Sequence, residues 1–290
     1  MPSSAPRSKA LRVLGRMLGT LACLYFAFLF LLYIFQDRLI FYPTKMTEER
    51  WKEVAEDLHA DYATIRVDAE GHHLQGWFLA GKNVMPQRPT VLFFGGNAMR
   101  AEEVIADLAR LREYGANLLL VDYRGYGLSE GKPSAEFLKA DAEKVFDAAA
   151  SHPLVDKEKI SVWGYSLGAA VASHLASVRP LQKLILFAPF TSSLDLAKEA
   201  FPFVPIQYFL RQNFDTLTLA PTLTQPTLIV TGREDSEYSS AEHAENIAAV
   251  WAGPKEVITL ENRGHQDLLE DERAWEAVIE FLQTGAADGN

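Results

Sequence analysis

The pentapeptide Gly164-Tyr165-Ser166-Leu167-Gly168 lies between a β-branched and aromatic run at 160–163 and an Ala-rich helical run that continues to Val178. A strand, a sharp turn and a helix with a serine at the apex lift a hydroxyl clear of a sheet edge, where a base can reach it. The turn needs small residues two positions either side of the serine. The backbone there is strained, and a Cβ would collide with the neighbouring strand or helix. The pentapeptide alone is a weak signal, and the strand before it and the helix after it are what give it weight. The alternative is a plain tight turn carrying an inert serine.

A serine hydroxyl is a weak nucleophile and needs an adjacent base that is itself oriented by an acid. An apolar run at 228–230 leads through Thr231-Gly232 to Arg233-Glu234-Asp235, and the next run, 257–260, leads through Glu261-Asn262-Arg263-Gly264 to His265. Ser166, Asp235 and His265 therefore follow one another in nucleophile–acid–base order, with the acid and base in loops after strands. Of the other histidines, His59, His72 and His73 precede the main sheet, His152 precedes a proline ahead of the serine strand, and His174 and His243 fall within helical patterns. Glu234 competes with Asp235 for the acid. Asp235 is preferred because it is third after Gly232 and leads into Ser239-Ser240, a helix-cap pair. Acyl transfer also needs donors for a tetrahedral oxyanion. The backbone N–H of Leu167 is one candidate. The second is the N–H of Asn97 in the loop Gly95-Gly96-Asn97-Ala98, whose alternative reading is an ordinary strand-to-helix turn.

The elements that must carry these residues begin after an unusual start. Of the 290 residues, 17–35 carry no charge and are dominated by Leu, Phe, Ala and Tyr, a stretch of about 28 Å as a helix. Arg7, Lys9, Arg12 and Arg16 precede it with no acidic residue. The expected organisation is a basic cytoplasmic segment 1–16, an uncleaved transmembrane signal anchor 17–35, and a domain 36–290 on the extracytoplasmic side, periplasmic in a bacterium. The competing reading is a cleaved signal peptide, which the length of the apolar run and the lack of an Ala-x-Ala site oppose. The aromatics of Leu39-Ile40-Phe41-Tyr42-Pro43 suit the headgroup region.

The net charge is −10, and with +4 in residues 1–16 the remainder carries −14. An acidic domain without a basic stripe argues against nucleic-acid binding. Cys23, the only cysteine, lies in the apolar run, so no intrachain disulfide forms. No cluster has metal-ligand spacing, and neither a metal nor an organic cofactor is implied. The pattern specifies no oligomeric state.

Residues 47–58 have the spacing of a short amphipathic helix, with Trp51, Val54 and Leu58 on one side. Two strands, 63–67 and 74–79, then form an opening hairpin. Continuous apolar runs follow at 91–94, 118–121, 160–163, 184–187, 228–230 and 257–260, separated by helical patterns at 101–114, 135–150, 167–178, 240–251 and 272–282. Continuous runs are what parallel strands covered on both faces require. The expected class is α/β, a mostly parallel eight-stranded sheet with helices on both faces and functional groups at the strands' C-terminal ends. The apolar, proline-punctuated stretch at about 191–226 is either a small cap forming an acyl pocket or a set of aromatics packing a helix on the sheet.

Taken together, Gly95-Gly96-Asn97-Ala98, Asp122-Tyr123-Arg124-Gly125-Tyr126-Gly127-Leu128-Ser129, Gly164–Gly168, Gly232-x-x-Asp235 and Gly264-His265 resemble the α/β-hydrolase superfamily. The chain is similar in particular to its membrane-anchored branch, which includes protein depalmitoylases and lysophospholipases, over residues 36–283. Where that branch usually carries His-Gly-Asn, this chain has Gly95-Gly96-Asn97. The resemblance implies a Ser-His-Asp serine hydrolase acting through an acyl-enzyme on a small-molecule or lipid-like ester or thioester. The Asp122–Ser129 loop is read as structural, with Arg124 tying down backbone and a carboxylate. A serine aminopeptidase-like peptidase and a catalytically silent binding protein on the same scaffold are the alternatives.

Overall fold

The computed structural model describes residues 5–57, 62–82, 87–235 and 239–284. In chain order the strands are β1 (Tyr62–Ala69), β2 (His72–Leu79), β3 (Arg88–Phe94), β4 (Asn117–Val121), β5 (Val155–Tyr165), β6 (Leu184–Phe187), β7 (Thr227–Gly232) and β8 (Lys255–Leu260). They form one sheet in the order β1-β2-β4-β3-β5-β6-β7-β8, antiparallel at β1–β2–β4 and parallel from there on. The helices are α1 (Ala5–Ile40), α2 (Glu48–Asp57), α3 (Ala101–Leu108), α4 (Ala135–Ala150), α5 (Leu167–Val178), α6 (Ser193–Ala200), α7 (Thr216–Leu219), α8 (Ala241–Val250) and α9 (Glu272–Gln283). This is the α/β-hydrolase fold.

The apolar runs are continuous because successive side chains of each strand feed opposite cores. Leu92, Phe94, Val162 and Leu186 join the core under α4, α5 and α8. Val91, Phe93, Trp163 and Phe187 join the other, with Ile105 of α3 and Trp275 of α9. Trp51 of α2 stacks on Trp77 of β2 at 3.7 Å between ring centroids, sealing the second core at the hairpin end. Leu58 and His59 lie outside the described residues.

Two differences from the sequence expectations have physical reasons. The helix expected over 101–114 is α-helical only to Leu108 and tightens to a 3-10 turn over Ala109–Tyr114, ending at Gly115 with φ 81°. The first helix runs on through Ile40, and Phe41 turns into the first core at 2% exposure instead of into a headgroup layer. An apolar aromatic suits either place by composition, and here protein packing claims it. Within the stretch 191–226, Phe214 is buried in the core, whereas Phe203 and Tyr208 are 90% and 82% exposed.

Most large side chains of α1, such as Leu18, Leu24, Phe26 and Phe30, are exposed, and the helix is long and apolar enough to cross a membrane. Its C-terminal end is held on the domain. Gln36 donates to the Phe209 carbonyl and accepts from the Arg211 amide at 2.7 Å, and Asp37 accepts from Gln212 at 2.7 Å.

Candidate active site

Ser166 stands between the end of β5 and the start of α5 at φ 54° and ψ −112°, a conformation costing on the order of 1–3 kcal/mol. Its neighbours over-determine it. The Ser166 amide donates to the Phe187 carbonyl of β6 at 2.8 Å. A Cβ on Gly164 would lie 2.1 Å from the Gly168 carbonyl oxygen, and one on Gly168 would lie 1.9 Å from that of Phe94. The glycines permit strand and helix to approach at the elbow, and the approach aims the hydroxyl away from the sheet.

Two loops meet it there. His265 Nε2 lies 2.9 Å from Ser166 Oγ, and His265 Nδ1 lies 2.7 Å from Asp235 Oδ2. Asp235 is buried and the adjacent Glu234 is exposed. Burial works against the charge on Asp235, but the hydrogen bond and charge of His265 outweigh it, aided by Ser239, and hold the carboxyl below its ordinary range. The acid and base loops also touch directly, since the Glu234 amide donates to the Arg263 carbonyl at 2.9 Å. Arg263 reaches Asp271, and the Gly264 amide donates to Asp267 at 2.8 Å, so the backbone ahead of His265 is fixed from two sides.

The two residues whose amides are expected to face an oxyanion lie next to the serine or next to a glycine beside it. The N–H of Leu167 opens α5 and so has no carbonyl one turn back to receive it. Asn97 follows Gly96, where a Cβ would lie 3.7 Å from that of Ser166. The remaining histidines among the described residues stand elsewhere. His152 lies against Phe78 at 4.1 Å, His174 faces Glu143, and His243 faces Thr191 and Glu199. Arg124 forms a buried pair with Asp141 at 2.6 Å and reaches the Ala69 carbonyl, the structural role expected of its loop.

Three site contacts escape sequence reasoning. Ser239, expected to cap α8, instead donates to Asp235 Oδ2 at 2.9 Å, while Ser240 takes the cap position without a side-chain bond. The Tyr165 hydroxyl donates to the His265 carbonyl, tying the elbow to the base loop. The Asn97 side chain bonds the end of α1 (Ile40 carbonyl, 2.6 Å) and the Tyr126 hydroxyl (2.7 Å). A hydroxyl four residues after the acid was a readable signal for Ser239. Nothing in the sequence pointed to the other two.

Comparison with known proteins agrees with this architecture. A family model described as "Serine aminopeptidase, S33" matches residues 85–208, a stretch that includes Asn97 and Ser166 and ends before Asp235 and His265. An uncharacterized protein of Mycobacterium tuberculosis is 32% identical over 88% of this chain and 89% of its own length. The α/β hydrolase domain-containing protein WAV2 of Arabidopsis thaliana is 28% identical over 89% of this chain and 91% of its own. Among solved structures, the esterase Pf2001 of Pyrococcus furiosus superposes with a TM-score of 0.66 at 20% identity, covering 84% of this chain and 97% of the esterase.

Proposed function

This chain belongs to the α/β-hydrolase superfamily, and from that premise we propose that it is a membrane-anchored serine hydrolase cleaving carboxylic ester or thioester bonds through an acyl-enzyme. The observation that carries the reading is the unbroken relay from Ser166 Oγ through both nitrogens of His265 to Asp235, at 2.9 and 2.7 Å. His265 accepts the Ser166 proton as Oγ bonds to the acyl carbon. The carbonyl electron pair moves onto oxygen, where the N–H groups of Leu167 and Asn97 receive it. Collapse expels the alkoxide or thiolate, which takes the proton from His265. Water then repeats the sequence on the acyl-enzyme and releases a carboxylic acid. Asp235 keeps the imidazole in the tautomer that offers Nε2 to the serine.

Helix α1 serves in this reading as the anchor, and the domain from residue 36 onward works at the extracytoplasmic surface. The exposed apolar side chains of α1 support the anchor, because in water they would leave a large apolar surface uncovered, and the basic residues 7–16 ahead of it support the placement of the domain. Protease accessibility in intact cells tests the topology, and a C-terminal domain cut only after the cytoplasm is opened would overturn it.

The decisive test of the chemistry is Ser166→Ala. Labelling by a fluorophosphonate probe and hydrolysis of p-nitrophenyl esters should both vanish, the latter by at least about 10³-fold. An unlabelled wild-type protein would instead favour the silent scaffold. The description of the matching family favours a second reading, peptide hydrolysis by the same serine. A panel of p-nitrophenyl esters of increasing acyl length beside peptide amides separates the two.

A further inference from the structure

Residues 200–210 carry no charge, and they lie against α1 at two levels. At the upper level Gln36 holds the Phe209 carbonyl and the Arg211 amide, and Arg211 pairs with Asp37 at 3.3 Å. This is where the apolar run of the helix ends. At the lower level the Tyr25 hydroxyl donates to the Phe203 carbonyl at 3.0 Å. Tyr25 and Gln36 are about 16 Å apart along a helix rising 1.5 Å per residue. Helical side chains lean toward the N-terminus, so the Tyr25 contact lies no nearer the helix exit than Tyr25 itself. Tyr25 sits in the middle of the charge-free run 17–35. The tip of the loop therefore reaches the depth of the centre of the apolar helix.

Apart from the exposed amide of Gln207, the side chains of the loop are apolar or aromatic, and much of its backbone is bonded as well. The amides of Val204, Ile206, Tyr208, Phe209 and Leu210 all donate within the segment. Two of its residues are prolines and have no amide hydrogen. The carbonyls of Phe203 and Phe209 are taken by α1. Non-helical backbone at membrane depth needs such partners, and these bonds supply them for five amides and for the two carbonyls held by α1.

We propose that residues 201–209 dip beside α1 into the acyl-chain region of the leaflet from which the domain emerges, seating Phe203 and Tyr208 in lipid. The consequence for substrate is direct. Asn97, next to the Ser166 elbow, is bonded to Ile40, only about 6 Å further along α1 than Gln36. With loop and helix both embedded, the serine is held near the headgroup plane, where it meets an acyl ester whose chain is still in the leaflet. This deepens the hydrolase reading and rests on it and on α1 as an anchor.

The test uses the full chain in phosphatidylcholine–phosphatidylglycerol vesicles containing doxyl-labelled phosphatidylcholine. Three single-cysteine proteins carry an environment-sensitive fluorophore: the native chain at Cys23, and Phe203→Cys and Lys157→Cys in a Cys23→Ser background. Lys157 is exposed near the start of β5, at the opposite end of that strand from Ser166. Quenching is expected at positions 23 and 203 and not at 157. Position 203 unquenched with 23 quenched overturns the proposal and leaves the anchor standing. Both unquenched overturns the anchor, and the proposal with it. As a second arm, Phe203→Asp should lower kcat/KM about tenfold on a vesicle-borne long-chain acyl ester and leave p-nitrophenyl acetate turnover unchanged. Equal loss on both substrates overturns the link to substrate. No turnover of either ester by the wild type overturns the hydrolase reading, while the quenching result still decides the insertion.

Discussion

The side-chain amide of Asn97 donates to the carbonyl of Ile40 at 2.6 Å, joining the loop beside the candidate nucleophile to the last residue of α1. The same side chain accepts from the Tyr42 amide at 3.1 Å and from the Tyr126 hydroxyl at 2.7 Å. A helix end leaves carbonyls without partners one turn on. Here one of them is satisfied by the residue whose backbone N–H is proposed to face the oxyanion. The exit of α1 and the loop beside Ser166 are thus joined through one side chain.

Asn97→Ala keeps the backbone N–H and removes only the side-chain bonds, so its effect on turnover reports loop position. Losing these part-buried bonds costs about 1–3 kcal/mol. Turnover number should fall about ten- to a hundredfold with KM little changed, as expected when a donor drifts from a developing charge. Steady-state kinetics on a p-nitrophenyl ester decide it. A rise in KM at constant kcat would mean that the loop binds substrate and does not position the amide.

At the other end of the relay, Asp235→Asn should lower kcat by about 10²–10⁴, because an amide no longer enforces the imidazole tautomer. Ser239→Ala removes one donor from the same carboxylate, whose place His265 still fixes, and should cost about three- to thirtyfold. The double variant should be no worse than Asp235→Asn alone, since Ser239 acts through the carboxylate. Additive losses would place Ser239 on a separate path.

How much of the fold and site is legible in the sequence follows from how each signal is encoded. The strands of the parallel sheet are apolar runs, and the elbow at Ser166 is a fixed local spacing, so both are visible along one dimension. Asp235 and His265 are visible because each follows a strand within a few residues. The Asn97–Ile40 and Tyr165–His265 bonds span 57 and 100 residues and end on backbone carbonyls, which every residue type possesses. No composition marks such a partner. Phe41 was misplaced for a related reason: lipid and protein core select the same apolar side chain.

The elbow should be intolerant of a single methyl. A Cβ on Gly168 would meet the carbonyl oxygens of Phe94 and Gly95 at 1.9 and 2.7 Å, both backbone atoms at the end of a central strand. Gly168→Ala should therefore cost more than about 3 kcal/mol or leave the chain insoluble. Gly264→Ala, beside His265, is the control. Its Cβ would have nothing nearer than 3.9 Å, and the cost should stay under about 1 kcal/mol. Chemical unfolding of the detergent-solubilised chain compares them, and similar midpoints for the two variants would refute the steric account.

Asp122 offers a pH signature independent of catalysis. Its carboxyl is buried beneath Gly127, where a Cβ would fall 2.0 Å from Oδ2, and accepts the Ala101 amide at 2.9 Å. Burial pushes it up from its ordinary 3.8 to about 7, against that hydrogen bond and with Glu102 nearby adding to the rise. The folded chain then holds a proton between about pH 4 and 7 that the unfolded chain has released. This contribution is fully present below pH 3.8 and is lost as pH rises through 7, by up to about 4 kcal/mol. Asp122→Asn has no proton to lose, so its stability relative to wild type should climb across that window. Urea unfolding of both proteins from pH 4 to 8 cancels the titration of groups that do not interact with Asp122, which leaves Asp122 and its neighbour Glu102. Parallel stability curves would mean that Asp122 is ionised in the fold, and its burial would then have to be compensated by groups other than Ala101.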